Sequence, residues 1–300
     1  MKLVRTTLAL LLAVAVLGAP AAHAEALVLG SVSNNVKKHL KRFAPLASHL
    51  ESELAEEGVT SVEILVLPNA VAMIEAMRNG EVDLYFDSPL VAARVARDSG
   101  GEPFLRRWKR GVGSYHSVIL VPTDSEMTTV EDLTGRRIAF QEPDSTSGFL
   151  LPVGMMRRLG LTLRELPTRD SRPQINEVGY IFTNDDRNTL AWIYNGWVDA
   201  AATDSERFLA LEAAAPGAFR VLARSIEVPR QVIVRRNGLD KSLIAAVTGA
   251  LIDLENSAAG RDILENFNHT TRFDRFPNGV EDTFNPIYAI LDELSEQNVF

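Results

Sequence analysis

Apolar and polar positions alternate between two periods from Ala26 onward. Ala26 to Val32 is a short apolar run, followed by Ser33-Asn34-Asn35, a polar loop that can also cap a helix. Val36 to Glu57 then spaces Leu40, Phe43, Leu46, Ala47, Leu50 and Leu54 at helical intervals, with Lys, Arg and Glu between them. Val62 to Leu67 reads as a strand, Ala70 to Asn79 as a helix closed by Gly80, and Val82 to Phe86 as a strand. Strands that alternate with helices across short connections predict a mostly parallel sheet covered on both faces.

The series repeats further along. Val118 to Val121 and Arg137 to Phe140 read as strands, and Gly148 to Leu159 as a helix stopped by Gly160. Thr189 to Tyr194 is a helix ended at Asn195-Gly196, while Val198 to Ala202 and Gln231 to Arg235 are strands. Ser242 to Leu254 and Pro286 to Leu294 are helical, with an irregular Phe/Asn/Arg-rich stretch between them. The fold class is therefore α/β. Two similar units without a flexible linker predict lobes packed across a cleft, with the chain crossing near Pro122 and again near Val228-Pro229. Residues 25–121 plus 229–300 form the expected first lobe, and 122–228 the second.

The N-terminal pattern is different. Lys2 and Arg5 precede an apolar run from Leu8 to Leu17, and Ala22-His23-Ala24 then offers the small-residue spacing of a signal-peptidase site. A run of about ten apolar residues suits a signal peptide and is short of the roughly 20 that span a bilayer. The expectation is cleavage near Ala24, a mature chain beginning at Glu25, and a periplasmic location. Losing Lys2 and Arg5 takes the formal charge from −8 to −10, a balance that disfavours nucleic acid and anionic lipid. With no cysteine, thiol nucleophiles and thiolate metal sites are excluded.

The chemistry concentrates at Asp144-Ser145-Thr146-Ser147-Gly148, between a predicted strand and a predicted helix. Hydroxyls and unpaired N–H groups at a helix N-terminus, aided by the helix dipole, suit an oxyanion. A plain N-cap with two solvated hydroxyls fits the same residues. No Gly-x-Ser-x-Gly elbow, P-loop or HExxH pairing is present, and Asp144 and Glu142 form no nucleophile–base–orienter set with the serines. No catalytic, metal or cofactor site is assigned, and a secreted hydrolase is the less favoured alternative.

The string Phe140-Gln141-Glu142-Pro143-Asp144-Ser145-Thr146-Ser147-Gly148-Phe149-Leu150-Leu151-Pro152 resembles the signature of phosphate/phosphite/phosphonate-type ABC-transporter substrate-binding proteins. Ala76 to Leu84, Phe86-Asp87-Ser88-Pro89-Leu90, Gly113 to Val118, Thr189 to Trp192, Asn195-Gly196 and Val198 to Ala201 resemble further segments in order. The resemblance implies a type II periplasmic-binding fold, each lobe a mostly parallel sheet flanked by helices, that closes by a hinge on a small oxyanion and serves an ABC permease. A ligand sensor working with a membrane histidine kinase is the alternative partner reading, and a monomer is expected. Residue by residue it implies that Ser145, Thr146 and Ser147 bind the anionic head, that Tyr115 lines the pocket and that Ser88 lies at its mouth.

The chain also departs from the family pattern. Asn184-Asp185-Asp186 stands where a His-containing step is common, Asp87 replaces an aromatic residue, and Glu206 occupies a position where phosphonate binders carry an acid. An anion pocket lined by Asp87, Asp185, Asp186 and Glu206 is unfavourable unless neutralised by a protonated ligand, a ligand ammonium, or Arg187 or Arg230. Three readings of Asp185 and Asp186 stay open: contact with a zwitterionic or protonated ligand, capping of the helix at Thr189, or binding of a cation.

Overall fold

The computed structural model describes residues 25–296, so the signal-peptide reading of residues 1–24 lies outside the described residues. The first sheet has the order β2-β1-β3-β13-β4-β14, built from Glu25–Val32 (β1), Val59–Leu67 (β2), Leu84–Asp87 (β3), Glu102–Lys109 (β4), Val232–Arg235 (β13) and Thr270–Asp274 (β14). Its first three strands are parallel, and β13 and β14 return antiparallel. The second sheet, β11-β6-β10-β7-β9-β8, contains Ser117–Pro122 (β6), Arg137–Phe140 (β7), Leu163–Glu165 (β8), Val178–Phe182 (β9), Ala200–Asp204 (β10) and Phe219–Arg224 (β11). Two short strands, Ser114–Tyr115 (β5) and Val228–Pro229 (β12), pair with each other between the sheets.

The alternation predicted from sequence is visible in the packing, with both sheet faces apolar. In the first sheet Leu29, Leu84, Leu105, Ile233 and Phe273 point to one face, where Val36–Glu53 (α1), Lys241–Ile252 (α7) and Ala258–Asn266 (α8) cover them. Tyr85, Val232 and Val234 point to the other, against Ala70–Arg78 (α2) and Pro89–Ser99 (α3). The second sheet divides likewise. Ile119, Ile138, Phe140 and Ala202 join the same cluster as α2 and α3, alongside Leu151–Arg158 (α4). Val118, Ala139, Ile181 and Ala201 face Asp186–Tyr194 (α5) and Ser205–Ala214 (α6). Central strands buried on both faces must be nearly continuous apolar runs, which is how β6, β7 and β13 read.

The first crossing falls earlier than expected. Placing it near Pro122 assigned residues 117–121 to the first lobe, yet β6 pairs with β10 and β11 in the second sheet. An apolar stretch alone cannot show which partner strands it will find, because those partners are about 80 and 100 residues away. The stretch between α7 and the C-terminal helix, expected to be irregular, forms α8 and β14. The last helix, Gly279–Glu296 (α9), is longer than the predicted Pro286 to Leu294 and packs on α3 and on α4, touching both lobes.

Candidate functional site

A cleft of about 830 Å³ opens between the lobes, lined by strand ends and helix starts from both. Parallel strands place their C-terminal loops on one edge, so two such edges facing each other make this cleft. One wall comes from the first lobe: Ser33 to Asn35, Lys38, Asp87, Ser88 and Lys109. The facing wall comes from the second: Gln141, Glu142, Asp144 to Ser147, Asn184, Asp186, Asp204 and Arg207. Tyr115, Arg230 and Gln231 close it at the crossing strands.

The hydroxyl triplet opens a continuous helical run. Thr146–Leu150 is a single π-turn that leads straight into α4. Ser145 is its N-cap: its Oγ accepts the Gly148 N–H at 3.1 Å and donates to Gln141 Oε1 at 2.7 Å. Both capacities of that hydroxyl are thus occupied locally. Gly148 is demanded by crowding, since a Cβ there would lie 2.7 Å from the Gln141 Cβ and 2.8 Å from Ser145 Oγ. Behind the turn Phe149 packs on Phe140 and Phe182 with ring centroids 5.1 and 4.8 Å apart, fixing the turn to β7 and β9. The N–H groups of Thr146 and Ser147 belong to the first turn and have no intrahelical acceptor.

Thr146 is almost fully buried and its Oγ1 accepts the Leu90 N–H at 3.4 Å, a bond from one lobe to the other. Tyr115, on β5, lines the same cleft as the Ser147 and Thr146 side chains. Burial pushes the Tyr115 phenol up to about 12, against the opposing pull of Arg230, so it stays a neutral donor and acceptor. The Arg230 guanidinium lies 4.5 Å over the Tyr115 ring and donates from Nε to Glu206 Oε1 at 3.0 Å. Tyr115 and Arg230 therefore share the cleft with the helix start at Thr146 and Ser147.

The acids divide by role. Asp87 accepts from the Tyr85 hydroxyl and from the Ser88 N–H at 2.6 Å, and burial raises its carboxyl above the usual range. Asp186 lines the cleft and pairs with Arg207 at 2.6 Å; burial raises it, and Arg207 opposes the shift. Asp204 caps α6 by accepting the Arg207 N–H at 2.8 Å. Glu142 is raised by burial and then by repulsion from Asp186, Asp144 and Asp87.

Two acids from the expected set lie elsewhere. Asp185 is half-exposed, is not among the residues lining the cleft, and accepts the Arg187 N–H at 2.8 Å as the N-cap of α5. Of the three readings of the Asp pair, that geometry is the capping one for Asp185, whereas Asp186 turns inward. Glu206 also stands outside the lining and meets the cleft only through Arg230. Among the described residues no group of three His, Asp or Glu side chains comes together as a metal site. Lys38, Lys109, Arg207 and Gln231 line the cleft without any sequence signal to mark them. A single Lys or Arg in a strand or helix reads as a solvated face until its long-range neighbours are known.

Two α/β lobes joined by paired crossing strands, with a polar cleft between their strand ends, define the class of type II periplasmic binding proteins. The chain belongs to the family described as ABC transporter, phosphonate, periplasmic substrate-binding protein, whose model matches residues 30–277. The phosphate-import protein PhnD of Mycolicibacterium smegmatis is 27% identical over 143 residues, 43% of this chain and 40% of that protein. The match thus spans less than half the length of that curated relative. XAC2383 from Xanthomonas citri, solved bound to chloride ion, superposes with a TM-score of 0.82 at 25% identity, covering 91% of this chain and 99% of that one. PhnD1 from Prochlorococcus marinus in complex with methylphosphonate shares the fold, with a TM-score of 0.63 at 17% identity over 90% of this chain and 98% of that one.

Proposed function

We propose that this protein is a periplasmic receptor, not an enzyme, that captures a small oxyanion of the phosphate or phosphonate class and delivers it to an ABC permease. The observation that carries the reading is the cleft itself. A helix start bearing Thr146 and Ser147 faces Arg230 and Lys109, so unpaired N–H groups, hydroxyls and cations converge on one space. In this reading Thr146, Ser147 and Tyr115 hold the anionic head, Ser145 shapes the turn that presents it, and Ser88 and Asp87 border it from the first lobe. Asp186 and Glu206 hold Arg207 and Arg230 in place. In this reading a protonated ligand oxygen donates to the Asp87 carboxyl, whose pKa burial raises, and that bond offsets the repulsion between acid and anion. The lobes close about β5 and β12 on binding.

The family match and the solved complex of PhnD1 with methylphosphonate support the ligand class, and the family's periplasmic description agrees with an export signal in residues 1–24. The test is a thermal-shift screen of the purified protein against phosphate, phosphite, methylphosphonate, sulfonates and simple carboxylates, followed by calorimetry. Replacing Thr146 and Ser147 together by Ala is expected to weaken binding by about 3 kcal/mol, since each charge-assisted bond contributes roughly 1.5–3 kcal/mol. Unchanged affinity in the double variant removes the helix start from the binding site.

A further inference from the structure

The cations of the cleft are not equivalent. Arg207 is held by Asp186 at 2.6 Å and Asp204 at 3.1 Å, and Arg230 by Glu206 at 3.0 Å. Lys109 lines the same cleft, and none of the described acids pairs with it. Its position is built in. The turn Lys109-Arg110-Gly111-Val112 is closed by reciprocal backbone bonds of 3.0 and 3.1 Å, with Arg110 at φ 55° and Gly111 at φ 79°. Two left-handed central residues are the requirement of a tight hairpin whose twist matches its strands. That hairpin connects β4 to the crossing strand β5, so Lys109 sits on the first lobe at the base of the cleft.

We propose that Lys109 is the first lobe's charge partner for the bound oxyanion, and that it takes up its proton as the anion binds. The inference rests on the oxyanion reading above and adds the residue that makes recognition depend on pH. The largest charges acting on Lys109 are cationic: Arg230 beyond β12, Arg107 and Arg110 on its own strand and turn, and Arg207 on α6. Asp186 on α5 is an acid within electrostatic range, and it is already paired to Arg207; β14 presents the neutral Thr270 opposite Lys109. Burial and then these cations lower the Lys109 ammonium to about 7, so an incoming anion relieves the repulsion and raises it again. The sign follows from linkage: affinity is full below about 7 and falls as pH rises through the free protein's value, by up to tenfold per pH unit until the bound form also deprotonates.

Calorimetry with methylphosphonate and with inorganic phosphate, repeated in buffers of different ionisation enthalpy, reads the proton count directly. Comparing wild type with Lys109→Met cancels the titration of the probe itself. The wild type is expected to take up a fraction of a proton more than Lys109→Met near pH 7.5, and Lys109→Met to bind at least tenfold more weakly at pH 6.5. Lys109→Arg, charged throughout, is expected to bind without the excess uptake and with a flatter pH profile; it also controls for folding, together with thermal melts. Equal proton counts and equal affinities in wild type and Lys109→Met overturn the assignment while leaving the oxyanion reading intact. Absence of binding of either probe to the wild type overturns that reading, and this inference with it.

Discussion

Arg230, a cation lining the cleft, shows how the aim of one side chain depends on another, Glu206, that stands outside the lining. Its guanidinium is nearly buried, stacked on the Tyr115 ring at 4.5 Å and oriented by Glu206 at 3.0 Å. A planar fork held on one edge leaves its other donors aimed, which a freely rotating side chain would not. Arg230→Met is expected to weaken oxyanion binding by roughly ten- to hundredfold, the worth of a charge-assisted bond of about 1.5–3 kcal/mol. Glu206→Gln is expected to act in the opposite direction. The amide oxygen still accepts from Arg230, but the negative charge that offsets it is gone, so the anion is held more tightly. Titration of both variants by calorimetry checks the pair, and a loss of affinity in Glu206→Gln would make Glu206 a ligand contact in its own right. At this scale the sequence was legible only where neighbours in space are neighbours in the chain. Ser145 to Gly148 could be read as a capped helix start because the cap and its donor are three residues apart. The union of Glu206 with Arg230, 24 residues apart, and the placement of Lys109 opposite both have no local signature.

Helices here announce their starts through side chains that accept backbone N–H groups. Asn35 caps α1 by accepting the Lys38 N–H at 3.1 Å, and Asn69 caps α2 by accepting the Ala72 N–H at 3.0 Å. Asp185 belongs to this set: its carboxyl is held below the usual carboxylate range by the Arg187 N–H, with the Arg187 charge adding to it. Asp185→Ala is therefore expected to lower the melting temperature by a few degrees near pH 7 and to leave oxyanion affinity unchanged. The pH dependence distinguishes a cap from other defects. A lowered carboxyl contributes stability above its ordinary value of about 3.9 and loses it as pH falls through the folded value, so wild type and variant should converge in acid. Melting curves from pH 7 down to pH 3 measure this, and a fall in affinity at pH 7 would return Asp185 to the ligand site. The elements that were readable, such as α1, β2, α2, β7 and α7, were so because periodicity and caps are local. Unread were α3, β4, β8, β9, α6, β11 and α8, whose apolar residues are too few or too interrupted to mark a period; β6 was assigned to the wrong sheet, and β14 puts Phe273 in the core from a strand too mixed in sequence to declare itself.

The two lobes are joined by little chain and by one long helix. β5 and β12 cross side by side, with Val228 opposite Tyr115 and Pro229 opposite Ser114, and the Arg230 N–H donating to the Gly113 carbonyl at 2.7 Å. α9 spans the gap. Its Asp292 pairs with Arg97 of α3 at 2.7 Å and its Glu293 with Arg158 of α4 at 2.7 Å, one partner in each lobe. Exposed pairs of this kind contribute about 0–1 kcal/mol, whereas each buried apolar side chain of α9 contributes roughly 1.5–3 kcal/mol. Phe284, Ile287, Ile290, Leu291 and Leu294 are all buried, so packing rather than charge keeps α9 in place. In the proposed closure the lobes turn about the β5–β12 pair and α3 and α4 slide over α9, while the two weak ion pairs re-form at little cost. Under that proposal a ligand held by Thr146 and Ser147 on one side and by Lys109 on the other draws the walls together, because each contact is complete only when the cleft is narrow. Small-angle scattering is expected to show a smaller radius of gyration when methylphosphonate saturates the wild type, and no change when it is added to the Thr146→Ala, Ser147→Ala double variant. A wild-type scattering curve unaltered at calorimetric saturation would mean that the cleft binds without closing, and that α9 acts as a fixed brace between the lobes instead of a surface on which they slide.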